Sequence, residues 1–91
     1  MLDDDLTDYK FFCFDGKPYY IQVDSGRFEE HHQNYYDMNW HALGVHCTYP
    51  EGDILPEPKN FDKMKTIAEL LSKDFPFVRV DLYNLEGKIL L

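Results

Sequence analysis

The sequence has few basic residues and no long apolar run. Lys and Arg total 9, against 17 Asp and Glu, so the formal net charge is −8. Contacts to nucleic-acid phosphates and anionic membranes require clustered Lys and Arg, so this balance disfavours both partners. No apolar run approaches the roughly 18–20 residues of a transmembrane span, and no charged-then-apolar start predicts a signal peptide. We therefore expect a cytoplasmic protein without a membrane span or a nucleic-acid partner.

Cysteine is also scarce, with only Cys13 and Cys47. Without a secretory signal, free thiols are expected rather than a disulfide. The histidines suggest a zinc hypothesis with Cys47; they are His31, His32, His41 and His46. Adjacent strand residues point to opposite faces, and no second cysteine lies near Cys47, so the spacing fits no compact ligand set. A small metal-binding protein therefore ranks last among the hypotheses.

Aromatic and apolar residues are abundant, at 16% and 44% of the chain, which is enough for the packed core of one small domain.

Residues 9–23 predict a β-hairpin, because Asp15-Gly16 is a favoured pair for a two-residue turn. This turn pairs Phe14 with Lys17, and Pro18 falls where its missing N–H costs least. An unbroken register gives one face with Lys10, Phe12, Phe14, Tyr19 and Ile21, and another with Tyr9, Phe11, Cys13, Tyr20 and Gln22. Since both faces are apolar, we expect the hairpin to be central in a larger sheet or to meet another layer.

Residues 60–73 predict a helix with Asn60 as its N-cap. Its apolar stripe follows steps of three and four residues and comprises Phe61, Met64, Ile67, Ala68 and Leu71.

Elsewhere we expect a solvated acidic arm at residues 1–8, a polar turn at 24–34 and an extended connector at 48–59. Residues 35–40 predict either a third strand or an irregular aromatic segment. Tyr35, Tyr36 and Trp40 can stack on a base or sugar, but at least two of them are expected to pack in the core.

Residues 77–83 alternate with the period of a β-strand. Val78, Val80 and Leu82 share one face, and Phe77, Arg79, Asp81 and Tyr83 share the other. Arg79 and Asp81 would then lie roughly 6.5–7 Å apart along the strand. Arginine binds phosphate and aspartate offers Mg²⁺ a hard oxygen, so the spacing suits a phosphate beside a metal ion. A solvated strand face with an incidental charge pair is the alternative.

Residues 84–87 predict a turn into a further strand. Together these elements predict an α+β fold, in which one main helix packs on an antiparallel sheet.

Three blocks of the chain resemble the TupA-like ATP-grasp family in the family's order. They are Asp-Tyr-Lys-Phe-Phe-Cys-Phe-Asp-Gly-Lys at residues 8–17, Tyr-Tyr-Asp-Met-Asn-Trp at 35–40 and Asp-Phe-Pro-Phe-Val-Arg-Val-Asp-Leu-Tyr at 74–83. The resemblance implies half of an ATP-grasp fold, with ATP and Mg²⁺ held between two α+β subdomains. It also implies carboxylate-ligase chemistry in bacterial cell-surface polysaccharide or teichuronopeptide synthesis, often labelled glycosyltransferase. By motif position Arg79 is the catalytic contact to the transferred phosphoryl group, Asp81 is the metal ligand and Lys10 is a weaker phosphate or nucleotide contact.

The family pattern extends beyond these residues, to a second metal-binding Glu and to the subdomain that holds adenine. We therefore expect residues 1–91 to be a single partial domain, a fragment resembling the C-terminal subdomain. Such a fragment would be inactive in isolation and would bind nucleotide only with the missing subdomain. The alternative is a stand-alone interaction module that keeps the fold without catalysis. Its aromatic faces would then form a partner surface or a homodimer.

Overall fold

Five antiparallel strands form one sheet, and a helix packs against one of its faces. The computed structural model describes residues 7–25, 32–43, 57–85 and 87–90. In these ranges the elements are β1 (Asp8–Phe14), β2 (Lys17–Ser25), β3 (His32–Asp37), α1 (Phe61–Ser72), β4 (Phe77–Leu85) and β5 (Lys88–Leu90). Across the sheet the strand order is β3-β2-β1-β4-β5. The predicted α+β fold class is therefore confirmed, and the β1–β2 hairpin is central in the sheet, which is one of the two arrangements expected.

The turn between β1 and β2 is the one that Asp15 and Gly16 predict. Their φ angles are +52° and +77°, and a type I′ turn requires positive values at both positions. The two pairs beside the turn have the expected register: Phe14 with Lys17, and Cys13 with Pro18. The turn chemistry therefore fixes the end of the hairpin correctly.

Beyond that point the register shifts by one residue. Phe12 pairs with Tyr20 rather than with Tyr19, so Tyr19 is an extra residue on β2, a β-bulge. From the bulge onward the pairing continues in step: Phe11 with Ile21, Lys10 with Gln22, and Tyr9 with Val23.

This bulge overturns part of the predicted face assignment. Because side chains alternate along a strand, one inserted residue moves every later side chain to the other face. Ile21 therefore lies beside Phe11, whereas Tyr20 and Gln22 lie on the face of Phe12. The predicted faces of Tyr20, Ile21 and Gln22 were wrong. The shift places Ile21 in the core, where it is fully buried.

Helix α1 covers the apolar face of the sheet and completes the core. The buried apolar cluster comprises Phe11, Cys13, Ile21, Val23, Tyr36, Phe61, Met64, Ala68, Val80 and Leu82. On the helix, the predicted stripe is correct at Phe61, Met64 and Ala68, which are buried, and at Ile67, which is partly buried against the core. It was wrong at Leu71, which is 44% exposed, while Ser72 is fully buried. The helix contacts the sheet along positions 61, 64 and 68, and the next step of four along this line reaches Ser72.

Asn60 occupies the predicted N-cap position, but its side chain makes no capping hydrogen bond. Its amide instead donates to the Gly87 carbonyl at 3.1 Å, and its side-chain oxygen accepts from Asn84 at 2.6 Å. These bonds join the start of α1 to the end of the β4–β5 hairpin. The residue therefore contributes to tertiary structure rather than to the helix alone.

Three segments are more regular than the sequence predicts. Asp8 was assigned to a solvated arm, but it is buried and begins β1. Residues 24–34 were assigned to a polar turn, but residues 24 and 25 end β2, residues 32–34 begin β3, and the two strands pair there. The turn expected to begin at Asn84 starts later, because β4 continues to Leu85. In each case a neighbouring strand supplies backbone hydrogen bonds that residue propensities do not indicate.

Cys13 is buried with a free thiol, and burial raises its pKa. Cys47 and most of the predicted connector lie outside the described residues, as do residues 1–6 of the predicted arm. Within the described ranges, α1 falls well short of the length and apolar character needed to cross a membrane.

Candidate functional site

The sheet face opposite α1, here called the far face, carries most of the sheet's charged side chains. Strand register and alternation assign to it residues of β1 to β4 that include Asp8, Lys10, Phe12, Phe14, Tyr20, Gln22, Asp24, Gln33, Tyr35, Asp37, Phe77, Arg79, Asp81 and Tyr83. All three residues that the family resemblance singled out, Lys10, Arg79 and Asp81, therefore lie on one face.

Arg79 and Asp81 project from β4 and pair with each other. The Arg79 Nε donates to Asp81 Oδ1 at 2.9 Å, and its Nη2 donates to Oδ2 at 3.0 Å. The two side chains thus lean together across the roughly 6.5–7 Å that separates alternate strand residues. Both remain partly in solvent, with 47% and 39% of their surfaces exposed. Val80 and Leu82, which alternate with them, are buried on the α1 side. A ligand can therefore reach the pair from solvent.

Lys10 lies opposite Asp81 across the β1–β4 pairing, yet its ammonium contacts other carboxylates. It donates to Asp24 Oδ2 at 2.8 Å and also to Asp8 Oδ2. Only 13% of the Lys10 side chain is exposed, and the values for Asp8 and Asp24 are 9% and 7%. Burial by itself would lower the pKa of Lys10, but the hydrogen bonds to Asp24 and Asp8 outweigh it, so the pKa is raised. The ammonium is therefore held in its charged form between two nearly buried carboxylates.

Hydrogen bonds extend this charged group towards β3. Gln22 donates from Nε2 to Asp24 Oδ1 at 2.8 Å, and the Tyr35 hydroxyl donates to Gln22 Oε1 at 3.2 Å. One polar network thus runs across β1, β2 and β3. Such a network rigidifies the strands that carry it, since each member fixes the orientation of the next.

An aromatic cluster occupies the end of the sheet nearest the β1–β2 turn. It comprises Phe12, Phe14, Tyr19, Tyr20 and Phe77. Phe12 stacks on Tyr20 at a centroid distance of 4.7 Å, and Phe14 lies 4.9 Å from Phe77 and 5.6 Å from Tyr19. Phe14, Tyr19 and Phe77 are 37%, 56% and 52% exposed. The far face therefore divides into a charged region and a partly exposed aromatic region, with Arg79 where they meet.

The loop after β3 is closed by Asp37. Its Oδ1 accepts the backbone N–H groups of Asn39 and His41, both at 2.9 Å. The His41 backbone bond is the main cause of a lowered pKa for Asp37. Within this loop Trp40 has a left-handed φ of +63°, and its ring stacks on Tyr36 at 4.1 Å. Both rings pack against the core, as expected for at least two of the three aromatic residues in this segment.

The histidine hypothesis finds no support in the described residues. His41 is exposed, and its Nδ1 lies 3.3 Å from Asp37 Oδ2. His31, His46 and Cys47 lie outside the described ranges. Among the residues the structure describes, no group of three or more His, Cys, Asp or Glu side chains is arranged to hold a metal ion.

Sequence reasoning did not identify the two carboxylates around Lys10. Asp8 lies two residues before Lys10, so strand alternation could have placed both on one face. Asp24 could not have been found in this way, because the unbulged register turns it towards the opposite face. The bulge at Tyr19 is what brings Asp24 to the ammonium.

The chemistry of the donor set suits a metal ion that arrives with a phosphate. Asp81 has two hard carboxylate oxygens on a partly exposed side chain, each accepting one hydrogen bond from Arg79. Mg²⁺ in phosphate sites usually takes one or two protein carboxylates and retains several waters. The Arg79 guanidinium presents the planar fork that binds phosphate oxygens in pairs. The Asp8 and Asp24 carboxylates are engaged with Lys10 and are less suited to a metal. The residues present therefore fit a phosphate-linked metal better than a metal ion alone.

Comparison with protein-family models gives a match that spans nearly all of the chain. The family model described as TupA-like ATPgrasp matches residues 2–91. Searches of curated proteins and of solved structures give no match to the chain.

Proposed function

Because the chain belongs to the TupA-like ATP-grasp family, we propose that its far face provides phosphate and metal contacts in an ATP-dependent ligase site. The Arg79–Asp81 pair carries this proposal, since it places a cation and a carboxylate together at a solvent-accessible position of the sheet. In the proposed site Arg79 binds the transferred phosphoryl group and Asp81 coordinates Mg²⁺. Fixed positive charge and a metal ion at such a position stabilise the charge that develops on phosphate.

The chain's own contribution to this chemistry is binding and orientation. ATP and Mg²⁺, when bound, supply the phosphoryl group and the neutralising charge for carboxylate activation. Arg79 orients the phosphate through its two donors, and Asp81 fixes the metal beside it. Lys10 is the weaker candidate contact, because its ammonium is nearly buried and already donates to Asp8 and Asp24.

We also propose that a second α+β subdomain closes over the far face. The chemistry of the described residues provides one accessible carboxylate at the proposed metal position, so Mg²⁺ would keep most of its waters and bind weakly. In this proposal residues 1–91 are a partial C-terminal domain that is inactive alone. The complete protein would serve bacterial cell-surface polysaccharide or teichuronopeptide synthesis in the cytoplasm.

An NMR titration of the 15N-labelled chain with Mg-ATP tests the proposed site. We expect shifts centred on the amides of Lys10, Arg79 and Asp81, with millimolar affinity and no ATP turnover. Arg79→Ala should weaken binding further. The matched control is Lys63→Ala, which removes an exposed positive charge from α1 and should leave the titration unchanged. Shifts that Arg79→Ala leaves intact would contradict this function, and micromolar saturation would contradict the proposal that residues 1–91 form only part of the site.

A second candidate, a self-associating module, is favoured by the exposed rings of the aromatic cluster. Phe14, Tyr19 and Phe77 place three partly exposed rings side by side, and such patches often mark interfaces. Sedimentation at increasing protein concentration tests this candidate. A homodimer that Tyr19→Ser converts to monomer would support it. A monomer at every concentration would exclude it in favour of the ligase-site proposal.

A further inference from the structure

The Arg79 guanidinium is hydrogen-bonded to the same Asp81 oxygens that the proposed site assigns to a metal ion. Arg79 Nε takes Oδ1 and Arg79 Nη2 takes Oδ2, so both Asp81 oxygens already accept hydrogen bonds from the guanidinium. Each oxygen keeps a second lone pair, but a divalent cation that binds both oxygens must displace the guanidinium that bridges them. We propose that Arg79 keeps free divalent cations off Asp81 until a phosphate-bearing ligand binds the guanidinium. This inference rests on the proposed function and concerns the order in which that site is filled.

Lys10, the neighbouring cation, does not bind the Asp81 oxygens. Lys10 lies directly across the sheet from Asp81, but its ammonium donates to Asp24 and Asp8 on its other side. The charges of this region thus divide into two groups, Lys10 with two carboxylates and Arg79 with one. Access to Asp81 is consequently governed by Arg79, whose side chain is exposed enough to turn towards a ligand in solvent.

The energetics allow this exchange. Exposed ion pairs are weak because solvent screens them, so a phosphate can replace the carboxylate as the partner of Arg79. Phosphate offers the same paired oxygens and carries more negative charge than a single carboxylate. Once the guanidinium has moved, both Asp81 oxygens become available to the metal. Binding of metal and phosphate should then be cooperative, and the coupling must be the same whichever ligand is added first.

Mn²⁺ alone is the probe for the metal half of this inference. Paramagnetic broadening of the amides around Asp81 reports its binding to the 15N-labelled 91-residue chain. We expect Arg79→Gln to bind Mn²⁺ about two- to fivefold more tightly than the unmodified chain, the range that corresponds to releasing an exposed ion pair. Lys63→Gln removes an equal charge from α1 and should change Mn²⁺ binding by less than about 1.5-fold at 0.1 M salt, where charges more than about 10 Å apart are screened. Equal Mn²⁺ affinity in the unmodified chain and in Arg79→Gln would overturn the inference.

A second measurement separates the hydrogen-bonded pair from simple charge repulsion. The sequence contains only two arginines, Arg27 and Arg79, so the Arg79 Nε–H signal can be assigned by its loss in Arg79→Gln. This proton should exchange slowly with solvent, and Asp81→Asn should accelerate its exchange. Mn²⁺ alone should leave the exchange rate nearly unchanged. Exchange that is equally fast in the unmodified chain and in Asp81→Asn would overturn the inference, because it would mean that the pair does not persist in solution.

Inorganic triphosphate distinguishes failure of this inference from failure of the proposed function. With triphosphate present, Mn²⁺ affinity at Asp81 should rise in the unmodified chain and gain little in Arg79→Gln. If triphosphate binds but the two proteins gain equally, the competition between Arg79 and the metal is refuted while the phosphate site survives. If triphosphate does not bind at all, the proposed function fails, and the coupling of metal to phosphate fails with it.

Discussion

Replacing Lys10 by Met should destabilise the protein severely, because it leaves two carboxylates without their shared cation. Lys10 is bonded to both Asp8 and Asp24, and all three side chains are at most 13% exposed. Removing one partner of a buried ion pair costs about 3–5 kcal/mol, since the remaining charge stays desolvated. A domain of this length has a total stability of about 5–14 kcal/mol. The substitution should therefore remove a large share of the free energy of unfolding.

Urea unfolding followed by the fluorescence of Trp40 and by circular dichroism measures this loss. Lys63→Met is the matched control, since Lys63 is exposed on α1, and it should change the stability by no more than about 0.5 kcal/mol. Adding Asp24→Asn to Lys10→Met should recover part of the loss, because one of the uncompensated charges disappears. A loss below about 1 kcal/mol in Lys10→Met, or no recovery in the double variant, would refute the assigned role of the Lys10 group.

The stability that Lys10→Met removes should depend on pH in a definite direction. The pKa of Lys10 is raised above its ordinary value of 10.5 in the folded protein. Its stabilising effect is thus fully present below pH 10.5 and is lost as the pH rises through the folded-state value. The difference in stability between Lys10→Met and the unmodified chain should accordingly persist from neutral pH to about 10.

Three further predictions concern the core and the turn. Gly16→Ala should cost about 1–2 kcal/mol in urea unfolding, because the φ angle of Gly16 is +77° and an added Cβ would lie 3.2 Å from the Lys73 carbonyl oxygen. A loss of stability smaller than that caused by an alanine substitution at an exposed position of α1 would contradict this. Met64→Ala should cost about 2–5 kcal/mol and Leu71→Ala less than about 1 kcal/mol, and equal losses would mean that the helix faces the sheet differently. In a Cys47→Ser variant, the Cys13 thiol should react with a thiol reagent only after unfolding, since it is buried and its pKa is raised; rapid labelling of the native protein would disprove its burial.

Local chemistry made several elements predictable. The turn at Asp15 and Gly16 depends on residues that tolerate positive φ, so its position and first pairs follow from two letters of sequence. The alternation through Val80 and Leu82 also suffices to place Arg79 and Asp81 on a common face. In both cases the structure is determined by residues close together in the chain, and the tertiary environment does not alter it.

The faces of β2 could not be predicted in this way. The bulge at Tyr19 adds one residue to β2 without any glycine or charged residue to mark it. A signal was nevertheless present further along, since the unbulged register puts Ile21 and Val23 on the face of Lys10. A requirement that these two apolar residues share the face of Phe11 would have demanded an extra residue in the strand. The core thus supplies the information that the hairpin itself lacks.

At residues 32–34, pairing with a neighbouring strand overrides the local preference of the sequence. Their polar sequence favours a turn, yet they form the start of β3 because β2 offers an exposed edge of hydrogen-bonding groups. Asn34 is buried in this strand and donates to the Tyr36 hydroxyl at 3.2 Å. Such a placement depends on the neighbouring strand, and propensity within the segment has no means of indicating it.

Burial assigns different roles to the two charge groups of the far face. The Lys10 group is nearly excluded from solvent, so each of its charges depends on the others and cannot be withdrawn without a large loss of stability. The Arg79–Asp81 pair is more than a third exposed on both sides, so opening it costs little. A binding site needs charges that can change partners, whereas the sheet beneath it needs charges that cannot. The contrast in burial therefore favours Arg79 and Asp81 as the residues that meet a ligand, and Lys10 with its two carboxylates as the group that holds β1 and β2 in place beside them.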